Sequence, residues 1–300
     1  MQFDRGTGYT RRQFMKNAAL LAAAALPFGS RLRGAVKSAD TDRDILAQKF
    51  QFAVDKSLRA VPIGDVMAAM GASFVGTPYV AHTLEQPGPE HLVINLHGLD
   101  CTTFVENMLA LSRCIKLHQT AYDDFTKQLQ LIRYRSGVIE GYPSRLHYFT
   151  DWIGDNERKG IVHDTTRELG GIPLIKTYDF MSTHVKSYPQ LSDKSALDAV
   201  RAAEVRLTST THTYIPNNKV AGMQDKLRSG DIIAIATSIP GIDVSHTGMV
   251  AVKDGTPYYL HAPLSGGSVQ FSQGSLAEYL ARAGKHIGII IARPLEPAAR

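Results

Sequence analysis

Gly98-Leu99-Asp100-Cys101-Thr102-Thr103-Phe104-Val105-Glu106 places an aspartate and a cysteine where a loop passes into a helix. From Phe104 the apolar positions run 104, 105, 108, 111 and 115, the spacing of an amphipathic helix. Asp100 suits the N-cap, so Cys101 falls in the first turn. There the unpaired N–H groups and the helix dipole favour negative charge, which lowers a thiol pKa. A free cysteine is more often a small buried core residue. The rest of the chain decides between these readings.

The N-terminus carries the second signal. Thr10-Arg11-Arg12-Gln13-Phe14-Met15-Lys16 precedes an Ala/Leu run from Ala18 to Leu26. A basic region followed by a short apolar one has the layout of an export signal. The arginine pair with Phe14 and Lys16 resembles the twin-arginine signal, read by a receptor rather than acting as an anchor. The run is shorter than the roughly 20 residues that span a bilayer. Residues 1–38 are therefore expected to be an export signal, with residues 39–300 forming a single catalytic domain in the periplasm. Twin-arginine export machinery is the implied partner, and no stable membrane span is expected.

Export changes the charge argument. The chain has 33 Lys+Arg against 28 Asp+Glu, a net +5. Seven of the bases and one acid lie in residues 1–38, which leaves 26 against 27 for the remainder. The basic balance thus belongs to the signal and gives no support for nucleic-acid binding. Two cysteines in an oxidising space suggest a disulfide. However, Cys101 and Cys114 lie on one expected helix, thirteen residues or about 20 Å apart. A disulfide needs Cα atoms within about 7 Å. Cys101 is left unpaired, as a working nucleophile requires, and Cys114 is read as a core bystander.

Helices are expected over 43–60, 62–70, 101–117 and 121–134, with a short strand at Leu92–Asn95. Residues 136–200 read as an irregular insertion with short helices. Strands are expected at 204–210, 231–237, 247–253, 257–261, 268–271 and 287–292, with a helix at 275–282 before the last. Helices first and an antiparallel sheet after them give an α+β domain.

A cysteine nucleophile needs a base, and the base an orienting group. Among eleven histidines, two stand out by context. Ser245-His246-Thr247-Gly248 starts one expected strand, and Tyr259-Leu260-His261-Ala262 ends the next. If the two form a hairpin, His246 and His261 become neighbours on one edge.

These residues carry a family resemblance. Asp100-Cys101-Thr102-Thr103-Phe104-Val105 resembles the Asp-Cys-Ser/Thr signature of the NlpC-type cell-wall cysteine hydrolases, a papain-like fold with helices on a central antiparallel sheet. Ser229-Gly230-Asp231-Ile232-Ile233 is similar to that superfamily's Gly-Asp turn into a core strand. Ser245-His246-Thr247-Gly248-Met249-Val250 is similar to its base motif, and Leu260-His261-Ala262 to its third catalytic position. Thr77-Pro78-Tyr79, Thr83-Leu84-Glu85, Ser144-Arg145-Leu146-His147-Tyr148 and Asp151-Trp152 resemble the N-acetylmuramoyl-L-alanine amidase-like subfamily. One departure is Asn95-Leu96-His97 where relatives carry a double glycine.

The resemblance implies Cys101 as nucleophile, His246 as base and then acid, and His261 as orienter. It implies Tyr79 near the oxyanion, Asp100 at the substrate end of the cleft, and Arg145, His147 and Tyr148 as candidate substrate contacts. An arginine fork suits the carboxylates of a stem peptide. The implied substrate is peptidoglycan or a muropeptide, cut at the N-acetylmuramoyl-L-alanine amide, with no cofactor or metal required. The rivals are an endopeptidase cutting between γ-D-glutamate and the diamino acid, and a non-catalytic cell-wall binding protein. A permuted lipid acyltransferase expects its histidine before the cysteine. His91, His97, His147, His163 and Asp164 lack zinc-site spacing, and no Gly-x-Ser-x-Gly elbow is present.

Overall fold

The computed structural model describes residues 32–282 and 284–298, with side chains from residue 42 onward. The arginine pair and the Ala/Leu run lie outside the described residues. Position 38 falls within the first described helix, α1 (Leu32–Asp55). Next come α2 (Ile63–Ser73), α3 (Cys101–Leu117), α4 (Tyr122–Arg133) and α5 (Phe149–Arg158). The insertion continues with β1 (Val162–Asp164), β2 (Ile172–Leu174), α6 (Phe180–Thr183) and α7 (Lys194–Ser209). The C-terminal part holds β3 (His212–Pro216), α8 (Asn217–Val220), β4 (Ile232–Thr237), β5 (Val244–Lys253), β6 (Thr256–His261), β7 (Gln270–Ser275), α9 (Leu276–Ala281) and β8 (His286–Pro294).

The strands form one antiparallel sheet of order β2-β3-β8-β4-β5-β6-β7, with β1 also on β8. Alternation sorts its side chains to two faces. Ile232, Ala234, Ala236, Met249, Leu260 and Ala292 pack with Met70, Phe104 and Met108 of α2 and α3. Ile233, Ile235, Val250, Tyr259, Ile289 and Ile291 pack with Leu276 and Leu280 of α9 on the other side. Three alanines on the helix side admit α3 closely. Gly230 turns the chain into β4 at φ +82, and a Cβ there would lie 2.4 Å from the Cα of Gly64. Only glycine suits both demands. Asp231, fully buried, holds this turn through a bidentate pair with Arg293 at 2.7 and 2.8 Å.

Four expectations change. Residues 204–209 are helix, not strand. Asp193 caps α7 by accepting from the Ala196 N–H at 3.0 Å, and buried Val200, Glu204 and Leu207 recur at helical spacing. The strand after them is β3. Leu92–Asn95 joins no ladder, because side chains take the backbone bonds around it: Arg133 Nη1 donates to Val93 O at 2.6 Å, and Leu96 N–H donates to Asp42. The insertion is not a loose stretch. Tyr142, Tyr148, Tyr178, Met181, Leu191, Val200 and Leu207 make a small core of their own.

Nor is α3 amphipathic. It is buried on every side from Thr103 to Ile115. Several of its interior polar groups are paired: Glu106 with Arg133 at 2.7 Å, Arg113 Nε with Gln128 at 2.8 Å, and Ser112 Oγ with Met108 O at 2.7 Å. The helix that carries the cysteine is the axis of the domain.

Candidate active site

Asp100 caps α3. Its Oδ1 accepts from the Thr103 N–H at 2.7 Å and the Thr103 hydroxyl at 2.8 Å, while Thr103 Oγ1 accepts the Asp100 N–H at 2.9 Å. This closed box fixes Cys101 in the first turn. Both cysteines are free, Cys101 partly exposed and Cys114 buried with its thiol pushed up to about 12 by burial.

β5 and β6 supply the histidines. Gly248 lies opposite His261, and a bulge at Ser245 sets His246 against Ile235 of β4. His246 and Gly248, two residues apart, share the sheet face of His261. The result is a hydrogen bond of 2.7 Å between His246 Nε2 and His261 Nδ1. That bond leaves Nδ1 as the nitrogen of His246 open to another partner. Gly248 is what permits it. A Cβ there would stand 2.8 Å from the Cβ of His261 and 2.7 Å from Leu260 O.

Cys101, Thr102, His246 and Thr247 line a cavity of about 250 Å³. The sulfur lies 4.0 Å from Thr102 Oγ1. Among the described residues no hydrogen bond joins it to either imidazole, although Cys101 and His246 face the same space. The opposite wall comes from the insertion: Tyr142, His147, Tyr148, Phe149, Phe180 and Tyr188.

Burial governs protonation here. It pushes the Cys101 thiol up, and the adjacent Asp100 carboxylate adds to the rise; the N–H and hydroxyl of Thr247 and the hydroxyl of Thr102 oppose it. Burial also pushes His246 well below its ordinary value, with His261 and His286 contributing, and takes His261 down to about 3. Burial thus favours the thiol and the neutral imidazole at rest. This reverses the preformed thiolate expected from the helix start. A helix terminus contributes at most about 2 kcal/mol, and the burial of this partly exposed thiol acts against it.

The other expected residues are placed as follows. Arg145 does not line the cavity. It is 5% exposed and committed to Glu85 Oε1 at 2.8 Å, Leu84 O at 3.1 Å and Glu90 at 3.3 Å. What lines the cavity is Glu85, whose Oε2 is buried and has no partner. His147 reaches the cavity, with Nε2 bonded to Tyr142 O at 2.9 Å and its pKa pushed down to about 3 by burial and by Arg145. Tyr148 also reaches it, while its hydroxyl donates to Glu204 at 2.7 Å. Tyr79 stands behind the nucleophile loop, bridged to Leu99, and does not line the cavity. Tyr142, Asp243 and Thr247 were not singled out by the sequence. Only Thr247 had a signal, being next to His246 on a strand that α3 covers. Among the described residues no cluster of His, Cys, Asp or Glu is arranged to hold a metal, and no helix is long and apolar enough to cross a membrane.

Residues 69–289 match the family described as N-acetylmuramoyl-L-alanine amidase-like. The chain belongs to that family. An N-acetylmuramoyl-L-alanine amidase from Bacteroides uniformis is 37% identical, with a TM-score of 0.73 over 78% of this chain and 99% of that one. A Bacteroides fragilis protein provisionally named a xylanase is also 37% identical, with a TM-score of 0.70 over 74% of this chain and 98% of that one. A Legionella pneumophila protein, 20% identical with a TM-score of 0.65 over 87% and 99%, shares the fold. No curated protein matches the chain. The amidase-like family is one of peptidoglycan hydrolases, and its α+β architecture is the one described above.

Proposed function

We propose that this protein is an exported cysteine amidase that cuts the N-acetylmuramoyl-L-alanine bond of peptidoglycan or its fragments, with the chemistry of the papain-like NlpC hydrolases. The observation that carries this reading is the shared cavity: Cys101 at a capped helix start, facing a histidine whose far nitrogen is held by a second histidine.

The roles follow from the protonation states. His246 Nδ1 takes the thiol proton as sulfur attacks the amide carbonyl, since neither group is charged at rest. The His246 ring then carries two N–H groups, and His261 Nδ1 accepts the one on Nε2. The first N–H groups of α3, those ahead of the Thr103 N–H that Asp100 takes, stabilise the oxyanion. His246 returns its proton to the leaving amine, and water deprotonated by the same nitrogen releases the acid. The aromatic wall favours the amidase over the endopeptidase. Five aromatic rings and the unpaired carboxylate oxygen of Glu85 suit a sugar ring and its hydroxyls better than a bare peptide. A glycosidase would need two carboxylates across the bond, but Glu85 is tied to Arg145 and Asp243 to the start of α5.

Defined muropeptides incubated with the protein are expected to yield intact stem peptide by mass spectrometry. Release of L-Ala-γ-D-Glu, or of a disaccharide carrying it, makes the enzyme an endopeptidase. Unchanged turnover by Cys101→Ala would falsify the mechanism. Export is proposed from Arg11 and Arg12. Fractionation should place the protein in the periplasm, and Arg11→Lys with Arg12→Lys should leave it in the cytoplasm.

A further inference from the structure

The chemistry above leaves one buried polar group beside the sulfur without a task. Thr247 is 1% exposed, and its Oγ1 is buried with no hydrogen-bond partner in the protein. Buried hydroxyls are nearly always bonded, and the group this one already bears on is the Cys101 sulfur, which it approaches without a well-aligned bond. Thr247 follows His246 on β5 and points to the opposite sheet face, where its pair across the ladder is Ala234. That is the face covered by α3, and Thr247 lines the catalytic cavity with Cys101. Successive residues of one strand, on opposite faces of the sheet, thus bring the base and this hydroxyl to one cavity.

The sulfur needs such a donor. The groups acting on it are the Asp100 carboxylate on its own helix cap, the hydroxyl of Thr102, and Thr247 from β5. The other groups near it are the neutral rings of His246 and His261 and the phenols of Tyr259 and Tyr279, whose own ionisation Cys101 opposes. None of these brings a positive charge to the thiol at rest. As its proton leaves, the sulfur gains negative charge beside the Asp100 carboxylate. Thr102, at 4.0 Å, is a distant donor.

We propose that Thr247 is a further catalytic residue, whose hydroxyl donates a hydrogen bond to Cys101 Sγ as the thiol proton passes to His246 Nδ1. Thr247 keeps its own proton throughout, and the new bond of the step is still sulfur to carbonyl carbon. The role rests on Cys101 being the nucleophile.

The test reads the thiol directly. Alkylation of the full chain by iodoacetamide is followed by intact mass from pH 6 to 10, with Cys101→Ala as the blank for Cys114. Thr247→Val, close in shape and lacking the hydroxyl, should move the alkylation midpoint up by about one pH unit, roughly tenfold slower at pH 7. Thr247→Ser should stay within about twofold of the natural protein. With muropeptide, Thr247→Val should lose about tenfold in kcat at unchanged KM. If valine destabilises the fold, Thr247→Ala against Thr247→Ser supplies the same contrast. A valine or alanine variant that alkylates along the natural curve overturns the proposal, whatever its turnover. Because alkylation needs no substrate, the outcome stands apart from the amidase assay, which Cys101→Ala decides.

Discussion

At the sheet end, His246 and His261 meet fifteen residues apart because β5 and β6 pair in one register. In the insertion, Tyr148 finds Glu204 across 56 residues, and Thr150 finds Asp243 across 93. The first region is positioned by backbone ladders, the second by single side-chain bonds that cross from one element to another. The ladder sets the two rings at hydrogen-bond distance. The insertion sets a wall of rings, for which shape matters more than any one atom. Reaction and recognition are thus supported by different kinds of structure, and damage to each should have a different kinetic signature.

The largest effect is expected at the ladder. His246→Ala removes the base and should lower kcat by about 10³-fold, with KM near its natural value and little change in melting temperature. A large rise in KM instead would show that the two regions are not separable. Asp243 is the joint between them. Its Oδ2 accepts both the N–H and the hydroxyl of Thr150, at 2.8 and 3.1 Å, three residues before the base. Asp243→Ala strands two buried donors and should cost roughly 2 kcal/mol of stability. It should also move kcat and KM together; an effect on stability alone would make the joint purely structural.

The smallest effect is a pH dependence shared by both regions. His147 in the wall and His261 at the ladder are each pushed down to about 3 by burial. A folded pKa below the unfolded value means that the unfolded chain binds the proton first as pH falls. The stabilisation is therefore present above about pH 6.5 and is lost between there and pH 3, at up to about 1.4 kcal/mol per pH unit for each ring. His147→Phe should remove one ring's share of that slope in urea titrations at pH 4 to 6. An unchanged slope would mean that His147 is protonated in the folded protein.

The same contrast explains what could be read ahead of the structure. Asp100, Cys101 and the histidine pair obey local rules, capping and strand alternation, so their placement follows from residues within one turn or one hairpin. The Gly230-Asp231 turn is local as well. The insertion defeats such rules because its order comes from distant partners. Arg145 looks like a free cation until Glu85 and Glu90, 60 and 55 positions away, are seen to hold it. Residues 204–209 look like a strand because Val205 and Leu207 alternate with polar neighbours; what decides is the cap at Asp193 and the inward stripe that begins at Val200. The thiol's acidity is hidden for a related reason. A helix start can be seen in sequence, but the burial that outweighs it cannot.

Gly248 has a consequence for anyone who samples variants of this protein at random. It carries no functional group, yet every replacement forces its first carbon into the ring-bearing carbon of His261 and the carbonyl of Leu260. In a saturation library selected for activity, this position should be as empty of survivors as that of the nucleophile, while the purified variants remain folded. A site map drawn from tolerance alone would count Gly248 among the reacting groups, when its contribution is to occupy no space.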